Sequence, residues 1–234
     1  MRYRAVFFDA GETLLHPHPS FPELLTSSLR REGIEVEPDA VKESLSLLSD
    51  RLSESAKAGE LWSTSAELSR RFWASIYRAV LAKLGVTMPD GIADRLYETF
   101  TDLSNYRLFS DVQPVLDRLA AAGLSLGLIS NFEEWLEQLL ESLAVTRYFH
   151  VRVISGLEGM EKPDPRIFRL ALERAGASPE ESLYVGDSPS FDVEPAESIG
   201  MRGVLIDRRE RFPRHPGTRI VSLDELPGVL GLKP

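Results

Sequence analysis

Five side chains spread along 234 residues could act together on a phosphate ester: Asp9, Ser130, Lys162, Asp187 and Asp192. Asp9 follows Ala5-Val-Phe-Phe and precedes Gly11-Glu12-Thr13-Leu14, and Ser130-Asn131 follows the run 124–129. Lys162 stands in Gly159-Met-Glu-Lys-Pro-Asp-Pro, and Asp187 lies in Gly186-Asp187-Ser188, five residues ahead of Asp192. A carboxylate can attack phosphorus, while a hydroxyl and an ammonium hold the equatorial oxygens. Further carboxylates can hold a Mg²⁺ that screens the negative partners from each other. Lysine suits such a place as a compact point charge, and this chain has only five. Taken singly, each residue has a plainer reading: strand-end turns at Asp9 and Asp187, a helix cap at Ser130-Asn131, a helix N-terminal charge at Asp192, a solvated loop at Lys162. Those readings leave unexplained why all of them stand at successive strand ends.

For these residues to meet, the apolar runs before them must be neighbours in one sheet. Short continuous apolar runs suit strands buried on both faces of a parallel sheet. From about residue 105 the pattern alternates. Helices over 111–122, 133–143, 165–175 and 193–199 lead to strands over 124–129, 151–154, 183–185 and 203–206. With 5–8 that makes five strands, and the alternation predicts an α/β domain with a Rossmann-like parallel sheet. Ligands of such sheets bind at the carboxyl ends of the strands, where the five side chains stand.

Between Phe21 and Thr101 nothing alternates like a strand. Leu24, Leu25 and Leu29, then Val41, Leu45, Leu48 and Leu52, then Leu68, Phe72, Ile76, Val80 and Leu84 recur at helical spacing. About four amphipathic helices follow, in a small bundle. Ser20, Pro22 and Glu23 form a capping box that opens the first. The first strand is thus parted from its partners by an insertion: a core of 1–16 and 105–234, and an all-helical cap of 17–104. Crossings near 16–20 and 102–108 would form a hinge, and a bundle hinged there can act as a lid. Trp62, Trp73 and Tyr77, at helical spacing, read as core.

Composition excludes several classes. Without cysteine there is no disulfide, thiolate catalysis or sulfur-held metal, so any metal must be bound by oxygen or imidazole. A net charge of -9 argues against a general nucleic-acid binder. The one basic cluster, Arg208 to Arg219, is interleaved with Pro and Glu and reads as a solvated loop. No run is long and apolar enough for a membrane span, and Met1-Arg-Tyr-Arg leads into a core strand instead of a cleavable signal, so no membrane partner and a cytoplasmic location are expected.

Phe-Phe-Asp9-x-x-x-Thr13-Leu, Ser130-Asn131 at a strand end, Lys162-Pro-Asp-Pro-x-x-Phe and Gly186-Asp187-Ser-x-x-x-Asp192 together resemble the haloacid dehalogenase superfamily. They span residues 5–200, and the helical insertion resembles its C1-type cap. The chain looks most similar to the subgroup described as haloacid dehalogenase-like hydrolase domain-containing protein 3. The resemblance implies a hydrolase with Asp9 as nucleophile and Ser130 and Lys162 as the phosphate-holding pair. It implies Mg²⁺ held by Asp9, the Gly11 carbonyl and Asp187, with Asp192 beside it. Asn131 would order the loop or contact substrate, and Thr13 would contribute to substrate binding. The implied partner is a small phosphorylated substrate; no motif speaks to oligomeric state.

One position departs from the pattern. The family's phosphatases carry a second aspartate two residues after the nucleophile, as acid for the leaving group and then base for water, where this chain has Gly11. Glu12, one position on, and His16 and His18 in the hinge are the candidate replacements. A slow or narrowly selective phosphatase is expected, one that favours leaving groups needing no proton. Two alternatives stay open: a metal-independent hydrolase of the 2-haloacid dehalogenase type, and a fold that binds a ligand or partner without turnover.

Overall fold

In a computed structural model, which describes residues 3–44, 47, 51–52, 54–55 and 58–232, the run Ala5–Phe8 forms strand β1, buried along its whole length. The later strands are β2 (Leu15–Pro17), β3 (Tyr106–Leu108), β4 (Ser125–Ser130), β5 (Phe149–Ile154), β6 (Ser182–Gly186), β7 (Arg202–Ile206) and β8 (Thr218–Ile220). Six of them make one wholly parallel sheet in the order β5-β4-β1-β6-β7-β8. The sheet is one strand wider than the pattern predicted. Thr-Arg-Ile of β8 follows Pro216-Gly217 inside the basic segment, so no apolar run announced it.

Register places the motifs together. Phe8 pairs with Leu128 on one side and Val185 on the other, so Asp9, Ser130 and Asp187 leave the sheet within a residue or two of one another. The backbone N–H of Asp9 donates to the Val185 carbonyl at 2.9 Å. After β6 the expected helix begins with a wide π-helical turn, Pro189–Val193, before Glu194–Ser198. That turn sets the Asp192 carboxyl against Gly186, where any Cβ would collide with it. Below the edge, Phe7, Ile129, Val153, Phe168 and Tyr184 pack in one core cluster, each buried large side chain contributing about 1.5–3 kcal/mol.

By its contacts the chain divides into two units, Met1–Leu15 with Leu108–Pro234, and His16–Arg107. In the second, Ser20 caps the helix Phe21–Arg31, its hydroxyl accepting from the Glu23 N–H and donating to the Glu23 carboxylate. The helices Pro38–Ser44, Ala66–Lys83 and Ile92–Thr101 follow. Leu25, Leu29, Val41, Phe72, Ile76, Val80 and Leu96 form this unit's core. Trp62 stacks on Phe72 at 4.9 Å and Trp73 on Tyr77 at 6.1 Å, so these aromatics pack with the core. Leu45 and Leu48, which the spacing put on a helix, lie outside the described residues. No helix among the described residues is long and apolar enough to cross a membrane.

Where the chain passes between the units, β2 and β3 pair with each other. On the sheet side of that crossing the Phe109 N–H donates to the Leu14 carbonyl at 3.0 Å. Arg208, stacked over Phe109 at 3.9 Å, donates to the Thr13 carbonyl at 2.9 Å and grips Asp111 through both terminal nitrogens.

Candidate active site

Asp9 stands at the end of β1, 6% exposed. Its Oδ1 accepts from Ser130 Oγ at 3.0 Å and from Lys162 Nζ at 2.8 Å, and its Oδ2 has no hydrogen-bond partner among the described residues. Lys162, 3% exposed, also donates to Asp192 Oδ1 at 2.6 Å and to the Tyr184 hydroxyl at 3.0 Å. Burial works against charge on this ammonium, but Asp192 and Asp9 beside it outweigh that and hold its pKa above the usual lysine range. Its backbone is bracketed by Asn131: the Lys162 N–H donates to Asn131 Oδ1 at 2.7 Å, and Asn131 Nδ2 donates to the Lys162 carbonyl at 2.8 Å. Asn131 therefore orders the loop that carries the lysine.

Asp192 is fully committed in this arrangement. Its Oδ1 faces Lys162 and Tyr184, and its Oδ2 accepts from the Ser188 N–H at 2.9 Å. Asp187 accepts from Arg211 Nη2 at 2.6 Å through Oδ2, while its Oδ1 has no partner among the described residues. Burial pushes the Asp187 carboxyl up to about 7, helped by Asp192 and Asp9 and opposed by Arg211. Burial likewise raises Asp9, with Lys162 opposing. One oxygen from each of Asp9, Asp187 and Asp192 can be chosen so that all lie within 4.8 Å of one another. Such a cluster has an excess of negative charge and hard oxygen donors, as Mg²⁺ requires. The unpartnered Asp9 Oδ2 and Asp187 Oδ1 could hold it, whereas both Asp192 oxygens are already engaged.

The loop after β1 carries the remaining candidates. Gly11 bridges to Leu15, and a Cβ there would meet nothing nearer than the Phe132 ring at 3.9 Å. Glu12 adopts a left-handed φ of 56° and turns its carboxylate to Arg209 at 2.7 Å. Thr13 is fully buried, its carbonyl held by Arg208 and its hydroxyl without a partner among the described residues. His16 and His18 belong to the other unit, their rings 6.3 Å apart, with His16 Nδ1 on the Pro17 carbonyl at 2.8 Å.

The basic cluster is largely an exposed loop, as its composition suggests, but four of its arginines are not left to solvent alone. Arg208, Arg209, Arg211 and Arg219 each pair with a carboxylate: Asp111, Glu12, Asp187 and Asp207 respectively. The segment leaves β7 at the same sheet edge as the acidic residues, so Arg208, Arg209 and Arg211 find partners remote in sequence. Two site residues escaped the sequence. Tyr184, inside a buried strand, reads as core; its hydroxyl lies 2.9 Å from the Ile129 carbonyl and 3.0 Å from Asp192 Oδ1. Arg211 is hidden because its partner Asp187 lies 24 residues earlier.

A model of the haloacid dehalogenase-like hydrolases matches residues 3–200. The zebrafish (Danio rerio) haloacid dehalogenase-like hydrolase domain-containing protein 3 is 31% identical, over 97% of this chain and 96% of its own. Phosphoserine phosphatase of Thermus thermophilus is 33% identical over 66% of this chain and 65% of its own. Among solved structures, the HAD-hydrolase YfnB of Bacillus subtilis, bound to magnesium, superposes with a TM-score of 0.80 at 18% identity, over 99% of this chain and 100% of that one.

Proposed function

The chain belongs to the haloacid dehalogenase-like hydrolases, and on that premise we propose that it is a Mg²⁺-dependent phosphatase acting on a small phosphorylated metabolite through an aspartyl-phosphate at Asp9. The observation that carries this reading is the convergence of Ser130 and Lys162 on one oxygen of Asp9. Both donors can pass to the equatorial oxygens of a phosphate set against that oxygen. The phosphatase activity named for the Thermus relative supports the same reading.

In the first half-reaction an Asp9 oxygen forms a bond to phosphorus as the bond from phosphorus to the leaving oxygen breaks. Ser130 and Lys162 take up the charge on the phosphoryl oxygens. Bound Mg²⁺ supplies the screening of negative charge between the carboxylate and the phosphate. Tyr184 and Asp192 fix the ammonium from behind. In the second half-reaction water attacks the aspartyl-phosphate, releasing phosphate and restoring Asp9. Position 11 offers no proton to the leaving oxygen, and Glu12 is turned to Arg209, so turnover is slow wherever that oxygen needs protonation.

Metal-independent dehalogenation at Asp9 is less favoured, because a carboxylate substrate would enter beside three carboxylates with no divalent cation to offset them. The test is phosphate release from p-nitrophenyl phosphate and acetyl phosphate, with Mg²⁺, with EDTA, and in Asp9→Asn. Turnover that needs Mg²⁺ and disappears in Asp9→Asn supports the proposal. Halide release from 2-chloropropionate in EDTA, with no phosphate release, replaces it with the dehalogenase.

A further inference from the structure

The segment after β7 is built to hold one guanidinium at the acidic edge. Asp207, fully buried, accepts from the Arg211 N–H at 2.7 Å, from the Phe212 N–H at 2.8 Å and from Arg219 Nε at 2.8 Å. Glu210, with a φ of 52°, turns the chain through a left-handed residue immediately before Arg211. A non-glycine residue in that region is strained, so the turn is maintained by its surroundings. The backbone of Arg211 is thereby pinned, while its side chain remains 44% exposed and so has room to move. From this base Nη2 reaches Asp187 Oδ2 at 2.6 Å and the Asp187 carbonyl at 3.4 Å.

Charge accounts for the contact. Asp9, Asp187 and Asp192 each bring a carboxyl oxygen within 4.8 Å of the others', and the buried Lys162 is committed to Asp9 and Asp192. Asp187 is left to Arg211. We propose that Arg211 competes with the divalent cation for Asp187, and so sets the cation affinity of the site. This rests on the reading of the site as a Mg²⁺ site. A guanidinium and a dication drawn to one carboxylate repel each other, and the guanidinium, on an exposed side chain with a fixed base, is the partner able to withdraw. Even with Mg²⁺ on the open Asp187 Oδ1, the guanidinium on Oδ2 of the same carboxylate repels the dication and takes up part of the carboxylate's charge, so Mg²⁺ is held more weakly than the carboxylates alone would hold it.

The test is calorimetric titration of Mg²⁺, without substrate, into wild type, Arg211→Ala, Arg211→Lys and Arg209→Ala. Arg211→Ala should tighten the dissociation constant about tenfold, equivalent to ~1.4 kcal/mol. Arg211→Lys, which keeps a positive charge but not the guanidinium, should fall between. Arg209→Ala, which removes a positive charge paired with Glu12, controls for net charge and should change the constant less than about twofold, since exposed charges are largely screened. Circular dichroism melts of each variant establish that it is folded, with Arg211→Lys as the reserve should Arg211→Ala melt early. Equal or weaker Mg²⁺ binding by Arg211→Ala and Arg211→Lys overturns the inference and leaves the phosphatase reading intact. No Mg²⁺ binding by any of the four proteins removes both.

Discussion

Replacing Gly11 with aspartate restores the proton donor this site lacks, and the structure indicates that it can be accommodated. The backbone at Gly11 lies outside the left-handed region, and the nearest atom to an added Cβ is Phe132 Cε2 at 3.9 Å, an ordinary contact. No clash or backbone strain opposes the side chain, and losing a glycine at a compatible position stabilises by roughly 0.4–1 kcal/mol through the unfolded chain. Against this, a further carboxylate joins the cluster of Asp9, Asp187 and Asp192. Like charges raise its proton affinity, which is the direction a general acid needs. A positioned acid contributes ~10²–10⁴-fold where the leaving oxygen must be protonated. Allowing for imperfect placement by the Phe132 ring, a gain of about tenfold or more in kcat/KM is expected for an alkyl phosphate such as glycerol phosphate, a drop of ~1.4 kcal/mol in barrier. For p-nitrophenyl phosphate, whose leaving group departs as a stable anion, the change in kcat/KM, which does not include hydrolysis of the shared aspartyl-phosphate, should stay within about threefold. Phosphate release from both substrates, in wild type and Gly11→Asp at saturating Mg²⁺, gives the comparison. Equal gains on both, or no gain on glycerol phosphate from a variant that binds Mg²⁺ and melts like wild type, would refute the assignment of the missing acid to position 11.

Lys162→Met leaves the buried Asp9 and Asp192 without their shared counter-ion; a loss of ~3–5 kcal/mol in urea unfolding is expected, together with loss of turnover. Tyr184→Phe removes the hydroxyl shared by Lys162, Asp192 and the Ile129 carbonyl, so stability should fall by ~1–3 kcal/mol and kcat should fall more than KM changes. Asp187 holds its proton more tightly folded, at about 7, than at its ordinary 3.8, so its contribution to stability is fully present below the lower value and is lost as pH rises through the higher. In EDTA, wild type should therefore lose melting temperature between pH 5 and pH 8, and Asp187→Asn should flatten that slope and melt higher at pH 8. Parallel slopes in the two proteins would count against the burial of that charge.

What could be read in the chain depended on how far each signal reaches. Asp9, Ser130 and Asp187 were legible because each ends an apolar run, and a parallel sheet brings such ends to one edge whatever its strand order. Lys162 could be placed because lysine is scarce here and prolines bound its loop. Strand order was not legible: register between β1, β4 and β6 is set by packing across residues more than a hundred positions apart. Tyr184 was invisible because one hydroxyl does not alter the apolar look of a buried strand. Pro and Glu among the arginines after β7 signal the exposure that the segment has, but nothing local reveals that Asp111, Glu12 and Asp187 stand at the same edge as partners. Glu12 stands close enough in sequence to reach toward the nucleophile, but its left-handed backbone turns it to Arg209.

The hydrogen bond from Phe109 to Leu14 spans a gap of 94 residues in sequence with a single 3.0 Å contact. With Arg208 fastened to both Thr13 and Asp111, the sheet-bearing unit holds the two ends of the excursion side by side through its own bonds. A short turn in place of 16–107 would close that unit without stretching it. The helical segment is thus an excursion whose two ends the sheet-bearing unit fixes by itself, so its length and sequence can change without changing the anchorage at Leu14, Phe109 and Arg208.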